Sequence, residues 1–308
     1  MSDPKPYKKL TPSPLAGIET VFTTALKDLQ TPYPSIPLKG WANFNEYVGG
    51  FRSREYTVLC GPTGAGKTAL LASWSAQLLK QEVRQFIVSV ENGASDYMRR
   101  VMSCLYGSDL NTGNAIEKQK LQEVAIQQHP LMKNDRMVFS LFEDRFSVDQ
   151  LMSDIENAHK NHGSKIVIVD NLNFFLQPTR GADATIEMDR VVHELVVFCK
   201  SIDVHIIMVQ HPRKTDGGRI ESEFDIKGSS TAVQEAHNVL LFNRVTDAQI
   251  KSYDGRLNSH SREIKISKLR RRGAYAGRSI FLNFIKGNYV EELALTRSEP
   301  RRVDPYAR

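Results

Sequence analysis

The sequence predicts an α/β fold with a mainly parallel central sheet, helices on both faces and an antiparallel C-terminal edge. Three observations lead there. From residue 40 onward, short apolar runs alternate with longer stretches of helical period, the mark of successive βαβ units. One of these runs, YTVLC, passes through a glycine-rich loop directly into a helical pattern. After about residue 237 the strand patterns follow one another with no long helix between them, as an antiparallel edge allows.

Residues 1–38 precede the alternation and read as an arm. Prolines at 4, 6, 12, 14, 32, 34 and 37 punctuate both of its ends. Between them Leu15, Ile18, Phe22, Leu26 and Leu29 recur at helical spacing, and that apolar stripe needs either the chain's own core or a neighbouring copy to cover it. The alternation starts with a strand at Tyr56–Cys60 and a helix at Ala69–Lys80. A strand at Gln85–Val90 precedes a helix through Tyr97–Leu105, and residues 115–128 carry another helical pattern. Arg136–Leu141 is strand-like and Val148–His159 helical. Lys165–Val169 (KIVIV) and Val204–Val209 (VHIIMV) are nearly all apolar, as strands covered on both faces must be, and the helix Met188–Ser201 separates them. Val239–Phe242, Glu263–Ser267 and Ser279–Phe284 supply the edge. One domain over residues 39–290, an arm before it and a basic tail at 291–308 account for the whole pattern.

With 308 residues and 41% hydrophobic content, the chain has material for a sizeable core. Lys plus Arg number 41 against 35 Asp plus Glu, and the resulting charge of +6 permits a polyanionic partner without naming one. Cys60, Cys104 and Cys199 are far apart and form no CxxC, so buried reduced thiols are expected, with neither a disulfide framework nor a zinc site. The N-terminus MSDPKPYKKLTPSPLAG has no apolar core segment and an early Asp3, which excludes a secretory or ordinary organellar signal. No apolar run is long enough to span a bilayer. A cytoplasmic protein with no membrane partner is the expectation.

Gly61-Pro62-Thr63-Gly64-Ala65-Gly66-Lys67-Thr68 fits G-x-x-x-x-G-K-[ST], with an apolar strand before it and a helix after. Glycines let backbone N–H groups close around phosphate oxygens at a helix N-terminus. In such a loop the lysine, Lys67, neutralises the β- and γ-phosphates, and the hydroxyl of Thr68 coordinates Mg²⁺. Asp170 ends the apolar strand KIVIVD, where ligands of an open α/β sheet collect, and is placed to hold the metal's shell beside Thr68. Glu91 follows its own strand in the same way and is placed to orient and deprotonate an attacking water. ATP, or another NTP, and Mg²⁺ are therefore the expected substrate and cofactor. Near the C-terminus KLRRRGAYAG packs four cations, Lys268, Arg270, Arg271 and Arg272, into five residues. Read alone, such a run is a solvated turn, a nucleic-acid grip or a catalytic device.

The succession LCGPTGAGKT, VSVEN, IVIVDNLNFF, MVQHPRK, DIKGSSTAVQEAHNVLLFNR and SKLRRRGAYAG resembles the RecA-type motor domain of DnaB-like hexameric replicative helicases, and most of all the Twinkle and phage primase-helicase branch. The resemblance covers roughly residues 38–290 and implies a RecA-like P-loop NTPase core. It implies a ring that translocates on single-stranded DNA, unwinds duplex and binds ATP between subunits. It makes Glu91 the catalytic base, Asp170 the second acid and His211 the γ-phosphate sensor, with Gln210 an alternative. The basic loop Pro212–Phe224, holding Arg213, Lys214 and Arg219, and the segment Asp225–Gln234, holding Lys227, Gly228, Ser229, Ser230 and Gln234, become the DNA-facing surface. Arg244 and Phe284 match positions that sandwich the nucleotide base, while Phe284 also suits a place in its strand's core. Lys268 and Arg270 match cations that reach the γ-phosphate of the adjacent subunit, and Arg271 and Arg272 receive no fixed task. The arm's helix resembles the linker helix that docks on a neighbour. Forked DNA and a primase, polymerase or single-strand-binding protein are the implied partners. Only about 38 residues precede the motor, so priming activity is not implied, and the KLRRRGAYAG turn is about one residue longer than is usual in the family.

Two other functions fit parts of this pattern. A RecA-like recombinase would use the same head-to-tail contact in an open filament. A nucleotide switch without translocation would keep the phosphate loop, yet it would have no use for Glu91.

Overall fold

The computed structural model describes residues 17–30, 34–108, 119, 123, 135–141, 147–171, 184–213, 218–226 and 230–293. The chain divides into two compact units, residues 1–34 and 35–308. In the first, helix α1 (Ile18–Gln30) carries the predicted stripe, and Ile18, Val21, Phe22 and Leu26 on it are exposed. Apart from Gln119 and Glu123, the pattern expected at 115–128 lies outside the described residues, as does most of the tail at 291–308.

The second unit opens with a two-residue strand β1 (Ser35–Ile36), helix α2 (Ala42–Tyr47) and β2 (Phe51–Arg52), β1 and β2 pairing antiparallel. Then follow β3 (Tyr56–Cys60), α3 (Lys67–Lys80), β4 (Gln85–Ser89), α4 (Gly93–Tyr106), β5 (Met137–Phe139), α5 (Val148–His162), β6 (Ile166–Asp170), α6 (Ala184–Ser201) and β7 (His205–Gln210). The chain ends on α7 (Ser230–Glu235), β8 (Asn238–Arg244), α8 (Asp247–Ser252), β9 (Arg262–Leu269), β10 (Ser279–Ile285) and β11 (Asn288–Glu291). Among the described residues one nine-stranded sheet forms, in the order β11-β10-β9-β8-β3-β7-β6-β4-β5. From β8 to β5 neighbours are parallel; from β8 to β11 they are antiparallel.

Strands β3, β4, β6 and β7 are buried along their whole length, which is why they read as apolar runs and not as alternations. Helices cover them on both sides. On one face α3 packs with Trp41, Phe44 and Phe51 around Trp74, with ring centroids 5.3–6.0 Å from that indole. On the other, Leu151 and Ile155 of α5 and Val191, Val192, Leu195 and Val196 of α6 meet the outward residues of β3, β6, β7 and β8. Strand β11 was not foreseen: it is four residues long and enters through a two-residue turn, Lys286–Gly287, with φ of 49° and 81°. Helix α4 begins a turn before the expected Tyr97, because Gly93 and Ala94 carry no apolar signal of their own.

Candidate active site

The phosphate loop lies between the C-terminal end of β3 and the N-terminus of α3, and its glycines are required by what lies beneath them. A Cβ on Gly61 would stand 2.5 Å from the carbonyl oxygen of Phe242. Gly66 caps α3 in the left-handed region at φ 99°, and a Cβ there would stand 2.6 Å from the Tyr289 hydroxyl. The backbone thus lies close on Phe242 of β8 and Tyr289 of β11, and a glycine loop of this kind at a helix N-terminus is the arrangement that cradles an anion. Lys67 is buried, which depresses its ammonium pKa, and its Nζ donates to the carbonyls of Gly61 (2.7 Å) and Pro62 (3.1 Å). Two arginines opposite each other on β8 and β9 hold the loop from the antiparallel edge. Arg244 Nη2 donates to Gly64 O at 3.1 Å, and Arg262 Nε to Ala65 O at 2.7 Å. Arg262 was not foreseen; an arginine between Ser261 and Glu263 at the start of a strand gives no signal until the register shows what faces it.

The acidic side is set by the parallel register of β4 and β6, in which Ser89 lies opposite Asp170 and the next residues leave the sheet together. Asp170 is 1% exposed; burial raises its carboxyl pKa, and a hydrogen bond from Thr68 Oγ1 to Oδ2 at 2.8 Å opposes that rise. Asn92 Nδ2 reaches Thr68 Oγ1 at 3.5 Å. A hydroxyl beside a carboxylate is an oxygen-only donor set and fits Mg²⁺.

Glu91 is exposed just past β4, and His211 half-buried just past β7. Asn171, the residue after Asp170, joins them: its Nδ2 donates to Glu91 Oε2 at 3.0 Å and to His211 Nε2 at 2.9 Å. In this arrangement His211 accepts at Nε2 and carries its proton on Nδ1. His211 Nε2 and Glu91 Oε2 stand 3.8 Å apart. Sequence reasoning passed over Asn171, although its place directly after the strand-end acid was the available signal. Gln210 lies buried at the end of β7, and among the described residues neither of its amide atoms finds a hydrogen-bond partner.

The sequence-predicted DNA surface is divided. Arg213 is exposed, with its Nε on Ile226 O at 3.2 Å, and the loop's ends meet through the bridge Pro212–Ile226. Gln234 is exposed near the end of α7, which Ser230 begins. Lys214, Lys227, Gly228 and Ser229 lie outside the described residues. Arg219 differs from a free DNA cation. It pairs with Glu221 at 2.6 Å and with Glu263, which is 3% exposed, and its Nη1 donates to Arg244 O at 3.0 Å. Burial lowers its pKa, but the two carboxylates outweigh that and hold it above the ordinary value. With Pro62, Thr63, Arg244 and Thr246 it lines a cavity of about 370 Å³ beside the phosphate loop. Phe284 is half-buried and packs against Tyr289 at a tilt, ring centroids 4.9 Å apart, so it approaches the loop through that ring while Arg244 touches it directly.

Lys268 and Arg270 lie elsewhere. The backbone N–H of Arg270 donates to His237 O at 2.9 Å, and that of His237 to Tyr56 O at 3.0 Å, so they attach at the start of β3 while the phosphate loop leaves its end. Five strand residues at about 3.3 Å each separate the two, farther than an arginine side chain extends. Within one subunit these cations therefore cannot touch the phosphate held by Lys67. Lys268 Nζ donates instead to the carbonyls of Val233 (2.9 Å) and Gln234 (2.7 Å), and Arg270 to those of Gln234 (2.6 Å) and Ala236 (3.1 Å), at the C-terminal end of α7. Burial, and then Arg270, lower the Lys268 pKa.

The geometry thus combines a phosphate cradle, a hydroxyl–acid pair, a carboxylate–amide–imidazole group and a distant cation pair. The model of the DnaB-like helicase C terminal domain matches residues 38–287. Among solved structures the chain is similar to the "ATPase Domain of G40P", at 17% identity over 90% of this chain and 99% of that one, with a TM-score of 0.71. It is likewise similar to "The Structure Of A DnaB-Like Replicative Helicase And Its Interactions With Primase", at 16% identity over 90% of this chain and 67% of that one, TM-score 0.70. At such identities these two structures speak for the fold, and the family match covers most of the chain. The chain belongs to the DnaB-like helicase C-terminal domain family, the ATP-hydrolysing motor of hexameric DNA helicases.

Proposed function

We propose that the nucleotide lies across Gly61–Thr68, with its base toward Arg244 and Phe284, and that hydrolysis is completed by Lys268 and Arg270 of the next subunit in the ring. The observation that supports this most is the separation along β3: the phosphate loop and the pair Lys268 and Arg270 lie at opposite ends of one strand. Glu91 accepts the proton of the attacking water, positioned by Asn171, and His211 on the same amide registers the γ-phosphate. Mg²⁺, when bound by Thr68 and through the surroundings of Asp170, offsets the negative charge of the phosphates. Lys67 adds a fixed charge in a cradle already closed to side chains, and a cation supplied from a neighbour stabilises transition-state charge, an effect of about 10³–10⁵ in rate.

Arg213 and the segment 227–234 face single-stranded DNA on this reading, and a fork is the substrate. The second solved structure concerns a helicase that interacts with primase; a primase, polymerase or single-strand-binding protein is the class of partner we extend to this chain. The experiment is a forked-duplex unwinding assay with ATPase measured in parallel, for wild type, Lys67→Ala and Glu91→Gln. Both variants should bind DNA and lose turnover and unwinding together. Unwinding that survives Lys67→Ala sinks the assignment.

A further inference from the structure

We infer that Arg271 and Glu55 are positioning residues for the cation pair Lys268 and Arg270, fixing the turn from which that pair reaches the neighbouring subunit's nucleotide; the inference rests on the reading above that the pair acts across the interface. Glu55 is a carboxylate only 5% exposed in the turn before β3. A buried carboxylate needs a counter-charge, and Arg271 Nε supplies it at 2.6 Å across 216 residues of sequence. The attachment is doubled one residue away, where Arg270 N donates to His237 O and His237 N to Tyr56 O. Backbone and side chain thus grip Glu55–Tyr56, the entry to the phosphate-loop strand.

The other flank of the turn is held as well. Arg272 donates to the carbonyl of Glu46 in α2, and Tyr275 stacks on Tyr47 with centroids 5.2 Å apart. The Arg278 guanidinium lies 5.1 Å from the Tyr47 ring and 5.4 Å from that of Tyr275. Parity along the strand then sorts the side chains. Lys268 and Arg270 point to the α7 side, while Leu269 points into the opposite core and Arg271 to Glu55. Arg271 is the rear anchor of a bracket whose front carries the two working cations. Glu55 also places one negative charge inside a run of four positive ones, which otherwise repel each other out of register. Such anchoring matters because a misplacement of about 1 Å at a reacting centre costs on the order of 10²-fold in rate.

The test uses Arg271→Ala and Glu55→Gln in the whole chain, and mixed rings with Lys67→Ala, their composition verified by native mass spectrometry. Alone, each variant should lose about 10- to 100-fold in DNA-stimulated ATPase, with nucleotide Kd close to wild type. Arg271→Ala should also melt lower, because it leaves Glu55 buried without its counter-charge, whereas Glu55→Gln, which removes that charge, should melt nearer wild type. Mixed with Lys67→Ala, each should regain turnover, since the Lys67→Ala subunit lends an intact turn to an intact phosphate loop next door. An Arg270→Ala plus Lys67→Ala mixture runs beside them. If that control recovers and the Arg271→Ala mixture does not, Arg271 serves its own subunit and the inference fails. If neither recovers, action across the interface is wrong and both readings fall. Full activity of Arg271→Ala alone also overturns the inference. Should Arg271→Ala not melt cooperatively, Glu55→Gln decides by the same mixing.

Discussion

One amide, Asn171, holds both Glu91 and His211, and its removal should act on rate before it acts on binding. Asn171→Ala is expected to lower kcat by 10-fold or more, within the range of about 10²–10⁴ that a positioned base contributes, while KM for ATP changes little. Asn171→Asp puts a third carboxylate beside Glu91 and Asp170, and like charges raise each other's pKa. The acidic limb of its pH–rate profile should therefore move upward, a displacement absent from Asn171→Ala; identical profiles for the two would contradict the assignment. The two arginines of the basic loop should separate as cleanly. Arg213→Ala is expected to reduce the salt slope of single-strand affinity by about 0.7, the contribution of one phosphate. Arg219→Ala should leave that slope alone and destabilise the fold by about 3 kcal/mol, because Glu263 stays buried without its partner. A slope that moves with Arg219 would restore it to the DNA surface. Composition marked all these cations alike; burial and register tell them apart.

At the scale of elements, β9 closes the end of α7. A six-residue helix leaves most of its last carbonyls without partners inside itself, and here Lys268 and Arg270 supply donors to Val233, Gln234 and Ala236. Removing both side chains should loosen that end. Each bond contributes about 1 kcal/mol, so amide exchange at residues 233–237 in a Lys268→Ala/Arg270→Ala variant should quicken by about 10-fold or more, with α3 unchanged as reference. Unaltered exchange at 233–237 would mean that these bonds carry no load. The sequence made the long elements legible for a physical reason: β3, β6 and β7 are covered on both faces, so apolar residues dominate them and polar ones such as Thr57, His205 and Gln210 are few. It hid α2, α7, α8 and β11, which are four to six residues long, too short to show a period. Arg262 and Asn171 stayed hidden because their meaning arises from partners at distant positions, Ala65 and Glu91.

For the molecule as a whole, pH should act through two imidazoles, His205 buried and His237 half-buried. His205 donates from Nδ1 to Arg52 O and accepts from Thr57 at Nε2; burial holds it down to about 4. His237, whose Nδ1 accepts from Tyr56 N, is held at about 4 by burial and then by Arg270. An unfolded imidazole titrates near 6.5, so between about 6.5 and 4 the unfolded chain binds more protons and stability falls as pH drops. Asp170 runs the other way, since its raised carboxyl gains a proton more readily when folded. The urea midpoint should therefore decline from pH 7 toward pH 5, and His205→Gln should flatten the decline; a midpoint constant to pH 5 contradicts both. The architecture of the sheet was legible, and the glycine loop and two strand-end acids mark where a parallel sheet binds its ligand. The resemblance already divided the cationic turn; what was not legible was where Arg271 and Arg272 attach, which needed Glu55 and Glu46 brought beside them. The path of β3 has a further consequence. On the proposed assignment a lone chain owns every part of the catalytic apparatus and yet no complete one, because its own loop and its own cations are out of each other's reach. On the same assignment each arriving subunit completes a single site, an open row always falls one short, and only closure leaves none idle. Turnover per chain is then a count of neighbours, rising with protein concentration and levelling off when the circle shuts.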